Sequence, residues 1–198
     1  MADRVVLATR NEGKIRELAR ILGGATFALV GLEEFADAPD VPETGATFEE
    51  NALLKARAIA SHTRLPSVAD DSGLCVDALN AMPGVFSARW SGRHGDDQAN
   101  LDLVLAQIAD VPDVRRGAHF ACAAALALPG GEEWVVTGRV DGRLIRKPRG
   151  RGGFGYDPIF VPDGLEVTTA EMTAEEKDAI SHRGLAFRAL APFIHQVG

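Results

Sequence analysis

The alternation of strand-like and helix-like apolar patterns constrains this chain more than any other feature. Val5 to Ala8 form a short β-prone run that stops at polar residues. Apolar residues then recur at helical spacing, at Ile15, Leu18, Ile21 and Leu22, before the stop signal Gly23-Gly24. The start of the chain therefore predicts a strand, a polar loop and a helix. Because this alternation continues, we expect an α/β fold with a mixed sheet.

Similar signals continue to the end of the chain. They predict one helix that begins at the capping box Thr47 to Glu50 and ends before Pro66, and another that carries Leu101 to Ile108 and ends before Pro112. A third helix should begin at the capping box Thr173 to Glu176, with an interruption at Ser181 to Gly184. A last helix should carry Leu185, Phe187 and Leu190. The same signals predict strands at Ser67 to Ala69, His119 to Leu128, Trp134 to Val140 and Pro158 to Val161. The middle two strands, separated by Pro129-Gly130-Gly131, should form an antiparallel pair.

Composition and net charge indicate a globular protein and argue against some kinds of partner. With 198 residues, 46% of them hydrophobic and 25% charged, the chain should form a single globular domain, residues 1–198. A net charge of -7 argues against a nonspecific nucleic-acid binder, which needs a basic face. Cys75 and Cys122 lie in apolar runs and should be buried free thiols. Without a signal region or a membrane-length apolar stretch, we expect a soluble, cytoplasmic protein that uses no membrane partner.

The first candidate site is the polar loop Thr9-Arg10-Asn11-Glu12-Gly13-Lys14, between a strand and a helix. The unpaired backbone N–H groups of a helix N-terminus favour an anion, and Lys14 adds a full positive charge. The plainer alternative is that Asn11 caps the helix and Lys14 is solvated. The loop is not a Walker A motif, because Ile15 follows Lys14 and Ala8 stands where that motif needs glycine.

The second candidate is Asp70-Asp71-Ser72-Gly73, which should form a polar segment where an apolar strand ends. Two adjacent carboxylates there are costly unless they are solvated, paired or bound to a cation. A hard cation such as Mg²⁺ takes one or two carboxylates and fills its shell with water and phosphate oxygens. Glu43 could be a second acidic ligand. The alternative, a turn capped by an aspartate, accounts for one carboxylate only.

The third candidate is the stretch from Arg143 to Asp157. Its five cations, Arg143, Arg146, Lys147, Arg149 and Arg151, form either a solvated face or part of a site. The glycines from Gly150 to Gly155 match the dinucleotide pattern, but a turn and a strand should follow them, so we reject that interpretation. They instead let the backbone approach a ligand closely, and Phe154 or Tyr156 could stack on a flat ring.

The fourth candidate is Lys177 with His182 and Arg183, which could donate hydrogen bonds to a ligand oxygen. The alternative is a helix C-terminus with favourable cations, ended by Gly184. Together the four segments supply carboxylates for a metal, cations for phosphates, an aromatic plane and directional donors. That set suits a nucleoside triphosphate.

Six longer motifs stand in order between Val5 and about Leu190: ATRNEGKIREL, ETGATFEENALLKA, ADDSGLCVDAL, PGVFSARWSG, GGFGYDPIF and EEKDAISHRG. With these motifs the whole chain resembles the inosine triphosphate pyrophosphatase family, also called the Ham1-like or dITP/XTP pyrophosphatases. The resemblance implies an elongated α/β fold with a central mixed sheet flanked by helices and two lobes around an active-site cleft. It also implies a homodimer that hydrolyses ITP, dITP and XTP to the monophosphate and pyrophosphate with Mg²⁺.

The resemblance further implies a role for each matching residue. Asp71 would be the proton acceptor and, with Glu43, a metal ligand, and Ser72 would contact substrate. The other substrate-binding residues would be Thr9, Arg10, Asn11, Glu12, Gly13, Lys14, Phe154, Gly155, Tyr156, Asp157, Lys177, His182 and Arg183. Arg10 stands where relatives often carry a smaller residue, which leaves the role of its side chain open.

Two other functions are compatible with the same residues. A nucleotide-binding sensor could use the site without turnover, although binding alone needs no base at Asp71. A scaffold function would not explain the paired carboxylates or the loop of glycines and aromatic residues. For the enzyme, we expect water to attack the α-phosphorus. Donors from His182, Arg183 or nearby backbone would recognise the C6 carbonyl of hypoxanthine and xanthine, where adenine has a donor.

Overall fold

The computed structural model describes residues 4–23 and 27–197. Its strands are β1 (Arg4–Leu7), β2 (Ala28–Gly31), β3 (Ser67–Val76), β4 (Met82–Pro83), β5 (Gly117–Ala127), β6 (Glu133–Leu144) and β7 (Phe160–Pro162). Its helices are α1 (Glu12–Ile21), α2 (Phe48–Thr63), α3 (Asp97–Gln107), α4 (Ala174–Ile180) and α5 (His182–Val197). Gly24, half of the predicted stop signal after α1, lies outside the described residues. No helix of the described part is long and apolar enough to span a membrane.

The strands form a mixed sheet in the order β2-β1-β3-β5-β6-β7, with β4 paired to β3. β1 pairs in parallel with β2 and with β3, whereas β3–β4 and β6–β7 are antiparallel. β5 and β6 are neighbours joined only by residues 128–132, a connection too short for a parallel pair. The predicted α/β class with a mixed sheet and flanking helices is confirmed. The predicted cleft between two lobes stays a prediction.

The chain divides into two compact units. The first consists of residues 1–71, 122–138 and 183–198. Side chains of β1 alternate between two buried faces: Val5 and Leu7 pack with α1 and α5, and Val6 and Ala8 pack with α2. Phe187 and Leu190 of α5 are fully buried in the first of these clusters. The sheet in this unit is therefore covered by helices on both faces.

The second unit consists of residues 72–121 and 139–182. Its core joins Leu74 and Val76 of β3 to Leu101, Val104 and Ile108 at α3. The same cluster includes Tyr156, Ile159 and Phe160, so the segment after the glycine-rich loop is part of a packed core. That core supplies a fixed base for the aromatic residues of the third candidate segment.

Three local predictions are wrong. β3 does not stop at Ala69 but continues through Asp70, Asp71, Ser72 and Gly73 to Val76. β6 runs to Leu144 rather than Val140, because Gly142 to Leu144 pair with β7. Gly184 does not end a helix: α4 ends at Ile180, and α5 starts at His182 and passes through Gly184.

Both predicted helix caps at threonine are present, with one difference. At α4, Thr173 accepts from the Glu176 N–H while Glu176 accepts from the Thr173 N–H, which is a complete capping box. At α2, Thr47 accepts from the Glu50 N–H, but the Glu50 carboxylate accepts from Ala46 instead of Thr47. The predicted box at α2 is therefore only half formed.

Removing the α4 cap should destabilise the protein by a small, measurable amount. We expect Thr173→Ala to cost about 1 kcal/mol, because it leaves an N–H of the first turn without its side-chain acceptor. For a chain of this size, that corresponds to a fall in Tm of roughly 2–4 °C in thermal unfolding. Thr173→Ser keeps the hydroxyl and should stay within about 1 °C of wild type. Equal Tm values for Ala and Ser would contradict the cap's contribution.

Candidate active site

The two adjacent aspartates of β3 point to opposite faces of the sheet, as successive residues of a strand must. Asp70 lies on the face covered by α1 and α5, close to Cys122, whereas Asp71 lies on the face covered by α2. Both carboxylates are buried. The alternative of a turn capped by an aspartate is wrong, because both residues lie within β3. The two side chains have different surroundings and different partners.

Asn51 and Lys55, two polar residues of α2, lie close to the Asp71 carboxylate. The Asn51 amide donates to Asp71 Oδ2 at 3.0 Å and accepts at Oδ1 from the Gly45 N–H at 2.8 Å. The Lys55 ammonium lies 2.8 Å from Glu43 Oε1 and 3.8 Å from Asp71 Oδ1. Glu43, Lys55 and Asp71, here called the acidic cluster, are thus brought together from a loop, a helix and a strand.

Burial and neighbouring charges shift the pKa values of both Asp71 and Lys55. Burial raises the pKa of Asp71 and Glu43 raises it further, and together they outweigh the opposing effects of Lys55 and Lys14. Burial alone would lower the pKa of Lys55, but Asp71, Asp70 and Glu43 raise it overall. Lys55 is therefore a fixed cation, and the Asp71 carboxylate is more basic than an exposed aspartate.

On the other face, Asp70 belongs to a chain of buried charges. Its Oδ2 lies 3.0 Å from Lys14 Nζ and 3.2 Å from Arg183 Nε, and Arg183 also forms an ion pair with Glu17. Burial would raise the pKa of Asp70, but Lys14, Arg183 and Lys55 hold it well below its usual range. Asp70 is therefore a permanent anion that fixes Lys14 and Arg183.

The loop from Thr9 to Lys14 joins β1 to α1. Asn11 is the N-cap of α1 and accepts from the Lys14 N–H at 3.0 Å, while Thr9 Oγ1 accepts from the Asn11 N–H. The predicted alternative is thus half correct: Asn11 caps the helix, but Lys14 is paired rather than solvated. Arg10 pairs with Asp40 and donates to the Ala38 carbonyl.

Of the remaining loop residues, Glu12 pairs with Arg16 one turn along α1, and Gly13 lies in the first turn. The side chains of Arg10 and Glu12 are therefore engaged by protein groups at the surface of the first unit.

In the second unit, Asp157 organises the aromatic segment. Its carboxylate accepts from the Phe154 N–H at 2.8 Å, from Thr169 Oγ1 at 2.8 Å and from Lys177 Nζ at 2.5 Å. The ammonium of Lys177 also lies 5.1 Å from the centroid of the Phe154 ring, in a cation–π arrangement. Phe154, Asp157 and Lys177, three of the predicted substrate residues, thus form one packed group.

The other predicted residues of this unit are also placed by packing. The hydroxyl of the buried Tyr156 donates to the Ser87 carbonyl at 2.8 Å, and Gly155 lies between it and Phe154. The ring of His182 stacks on Phe120, with ring centroids 4.8 Å apart. Ser72, the first residue of this unit, follows Asp71 directly in β3 and is half-buried.

The predicted site residues therefore fall into two groups. Those of the first unit are Thr9, Arg10, Asn11, Glu12, Gly13, Lys14, Glu43, Asp71 and Arg183, and those of the second are Ser72, Phe154, Gly155, Tyr156, Asp157, Lys177 and His182. The chain passes from one unit to the other between Asp71 and Ser72 and again between His182 and Arg183.

Three residues of the site, Lys55, Asn51 and Glu17, are not among those that the sequence motifs predict. A signal for the first two was present, since Asn51 and Lys55 are polar residues four apart on the buried, alanine-rich face of α2. Glu17 gave no such signal, because its partner Arg183 is remote in sequence.

The structure favours the plainer interpretation of the basic stretch after Arg143. Arg143 pairs with Glu166, Arg146 with Asp113 and Arg149 with Glu171, and these arginine side chains are 40–49% exposed. The glycine loop after them leads to a short 3₁₀ turn and β7 rather than a helix, so rejecting the dinucleotide fingerprint was correct. This stretch is a solvated face with surface ion pairs.

The chemistry of Glu43 and Asp71 fits a hard divalent cation. Both carboxylates lie near one ammonium, with Lys55 Nζ 2.8 Å from Glu43 Oε1 and 3.8 Å from Asp71 Oδ1. The negative charge of Glu43 also raises the pKa of Asp71, and a bound cation would relieve this repulsion. Among the described residues, no group of three or more His, Cys, Asp or Glu is arranged to hold a metal. Two carboxylates, completed by water and phosphate oxygens, are the set that Mg²⁺ takes in nucleotide sites.

The chain is similar over almost its whole length to proteins of one family. Residues 5–193 match the Ham1 family. A dITP/XTP pyrophosphatase of Streptomyces coelicolor is 65% identical over 196 residues, with 98% of each chain covered. The crystal structure of a nucleoside-triphosphatase, or dITP/XTP pyrophosphatase, of Mycobacterium abscessus is 59% identical with a TM-score of 0.78, covering 96% of this chain and 99% of that one.

A structure of a HAM1 protein from Coxiella burnetii is 40% identical with a TM-score of 0.88, covering 98% of this chain and 99% of that one. Similarity therefore extends over nearly the whole chain in both sequence and structure. The chain belongs to the Ham1 family.

Proposed function

We propose that this chain hydrolyses the deaminated purine nucleoside triphosphates dITP, XTP and ITP to the monophosphate and pyrophosphate. Removing them keeps them out of DNA and RNA. The observation that carries the proposal is the acidic cluster, a carboxylate of raised pKa held beside a second carboxylate and a lysine. The names of relatives that are 53–65% identical support the substrate class.

Asp71 is the proton acceptor in this proposal. Its raised pKa makes it a better base than an exposed aspartate, and the Asn51 amide fixes its orientation. Water that gives its proton to Asp71 attacks the α-phosphorus, and pyrophosphate leaves. Lys55, held between Glu43 and Asp71, keeps positive charge beside the two carboxylates throughout the reaction.

The start of α1 binds the phosphates. The backbone N–H groups and positive dipole end of a helix N-terminus favour an anion, and Lys14 adds a cation that Asp70 holds in place. Glu43 and Asp71 would hold Mg²⁺, which when bound neutralises negative charge on the phosphate oxygens. Because Asp70 and Glu17 engage the Arg183 guanidinium, Arg183 contributes by fixing this network.

We assign the nucleoside to the residues of the second unit. Phe154 supplies an aromatic face, and the Lys177 ammonium lies over the same ring. His182 stacks on Phe120. Donors at this site would pair with the C6 carbonyl of hypoxanthine and xanthine and meet an unpaired donor in adenine. Polar mismatches of this kind discriminate by about 10⁴–10⁵-fold in well-built sites.

A substrate panel tests the function. Purified protein is incubated with dITP, XTP, ITP, GTP and ATP, with Mg²⁺ or with EDTA, and pyrophosphate is measured. We expect release from the deaminated nucleotides with Mg²⁺, loss of release with EDTA, and ATP turnover lower by several orders of magnitude. Tight binding of ITP without pyrophosphate release would instead identify a nucleotide-binding sensor, and equal turnover of ATP and ITP would refute the donor site.

The same proposal includes the assembly and place of work that the family resemblance implies. We propose a homodimer acting on the cytoplasmic nucleotide pool, without nucleic acid or membrane as partner. The buried free thiols Cys75 and Cys122 are consistent with a reducing compartment.

A further inference from the structure

Two hydrogen bonds connect the segment Phe154 to Tyr156 with residues elsewhere in the second unit. The Gly155 N–H donates to Asp97 Oδ2 at 2.9 Å, and the Tyr156 hydroxyl donates to the Ser87 carbonyl at 2.8 Å. Ser87 is itself fixed, because its hydroxyl accepts from the Leu74 N–H of β3 at 2.9 Å. Two consecutive residues of the segment are therefore tied to structure that precedes it by more than fifty residues.

The segment needs these hydrogen bonds because of its backbone. Gly153 and Gly155, on either side of Phe154, have φ of +69° and +60°, in the left-handed region that favours glycine. Glycine reaches many other conformations equally well, so these residues do not hold the Phe154 ring by themselves. The Phe154 N–H is bound by Asp157, but the next peptide depends on Asp97.

Asp97 is well placed for this purpose and is not needed for capping. It lies in the first turn of α3, a helix whose Leu101 and Val104 are buried in the core of the unit. The cap of α3 comes from Asp96, whose side chain accepts from the Ala99 N–H at 3.2 Å. Because α3 is packed in the core, the hydrogen bond to the Asp97 carboxylate restrains the position of Gly155.

We propose that Asp97 is a positioning residue that presents Phe154 and Gly155 to the base of the nucleotide. The inference rests on the proposed function, in which this segment binds the nucleoside. Asp97 acts on substrate binding through the Gly155 peptide, whereas proton transfer at Asp71 proceeds without it. Loss of Asp97 should therefore change KM much more than kcat.

The test compares Asp97→Ala, Asp97→Asn and Asp102→Ala in steady-state pyrophosphate release from dITP. Asp97→Ala removes the acceptor, and we expect KM to rise about five- to tenfold with kcat within about twofold of wild type, as for the loss of one exposed hydrogen bond. Asp97→Asn keeps an acceptor oxygen and should raise KM less than threefold. Asp102→Ala removes an equal charge from the same helix, where the exposed Asp102 carboxylate accepts from the Gln98 amide, and should match wild type.

Each outcome has a distinct meaning. If wild-type protein releases no pyrophosphate from any nucleotide of the panel, the proposed function fails and the inference fails with it. If wild type is active and Asp97→Ala keeps its KM, the inference is overturned and the function stands. A fall in KM for both Asp97 variants would show charge repulsion instead of positioning. Equal losses of kcat in the Ala and Asn variants would show a structural role.

Discussion

Asp71→Asn should lower kcat for pyrophosphate release from dITP by about 10²–10⁴-fold, the usual contribution of a positioned general base. The substitution keeps the shape of the side chain, and its amide oxygen can still accept from Asn51. It removes the group that takes the proton from water and one of the two negative charges that would hold Mg²⁺. The measurement is steady-state kinetics with saturating dITP and Mg²⁺.

The same variant should not lose stability. The folded-state pKa of Asp71 is raised, so the native protein binds this proton more tightly than the unfolded chain, and the ionised carboxylate disfavours folding near neutral pH. A neutral Asn removes that cost, and we expect a Tm equal to or above that of wild type. Asp113→Asn, at an exposed ion pair with Arg146, is the matched control and should keep full activity. Near-normal turnover by folded Asp71→Asn would refute its assignment as the base.

Arg183→Met should strongly destabilise the protein. Arg183 is 2% exposed, and its guanidinium pairs with both Asp70 and Glu17. Removing it leaves two buried carboxylates without their common partner, which costs about 3–5 kcal/mol. At 2–4 °C per kcal/mol, the Tm should fall by roughly 6–20 °C. Thermal unfolding followed by circular dichroism measures the change.

An exposed arginine provides the control for Arg183. Arg57 makes a two-pronged ion pair with Glu133, but its side chain is 52% exposed, so Arg57→Met should cost at most about 1 kcal/mol. Asp70 keeps its ion pair with Lys14 when Arg183 is removed, whereas Glu17 loses its ion pair with Arg183. The double variant Glu17→Met with Arg183→Met removes this second carboxylate and should recover part of the lost Tm. If Arg183→Met and Arg57→Met lower the Tm equally, the buried network does not stabilise the protein as described.

Much of the fold could be predicted because its signals are local. The β1-loop-α1 start, the paired strands β5 and β6 and the capping box at Thr173 all follow from apolar spacing, turn residues or caps within a few positions. Gly184 shows the limit of such signals. A glycine there suggests a helix end, but Ala186, Phe187 and Leu190 are buried along α5, and their packing keeps the helix continuous through it.

The site could be predicted by residue type but not by arrangement. By local preference, Asp70, Asp71, Ser72 and Gly73 form a turn. They remain in a strand because Lys14, Lys55 and Arg183, distant in sequence, supply positive charge to the two faces of that strand. No local pattern shows which lysine will pair with which aspartate. The separate roles of Asp70 and Asp71 therefore emerged only from the structure.

The central claim is that water attacks the α-phosphorus and displaces pyrophosphate. Hydrolysis of dITP in water enriched in ¹⁸O, followed by mass spectrometry of both products, tests it most directly. The account predicts one ¹⁸O atom in the deoxynucleoside monophosphate and none in the pyrophosphate. Label in the pyrophosphate, or release of single phosphates in its place, would contradict it.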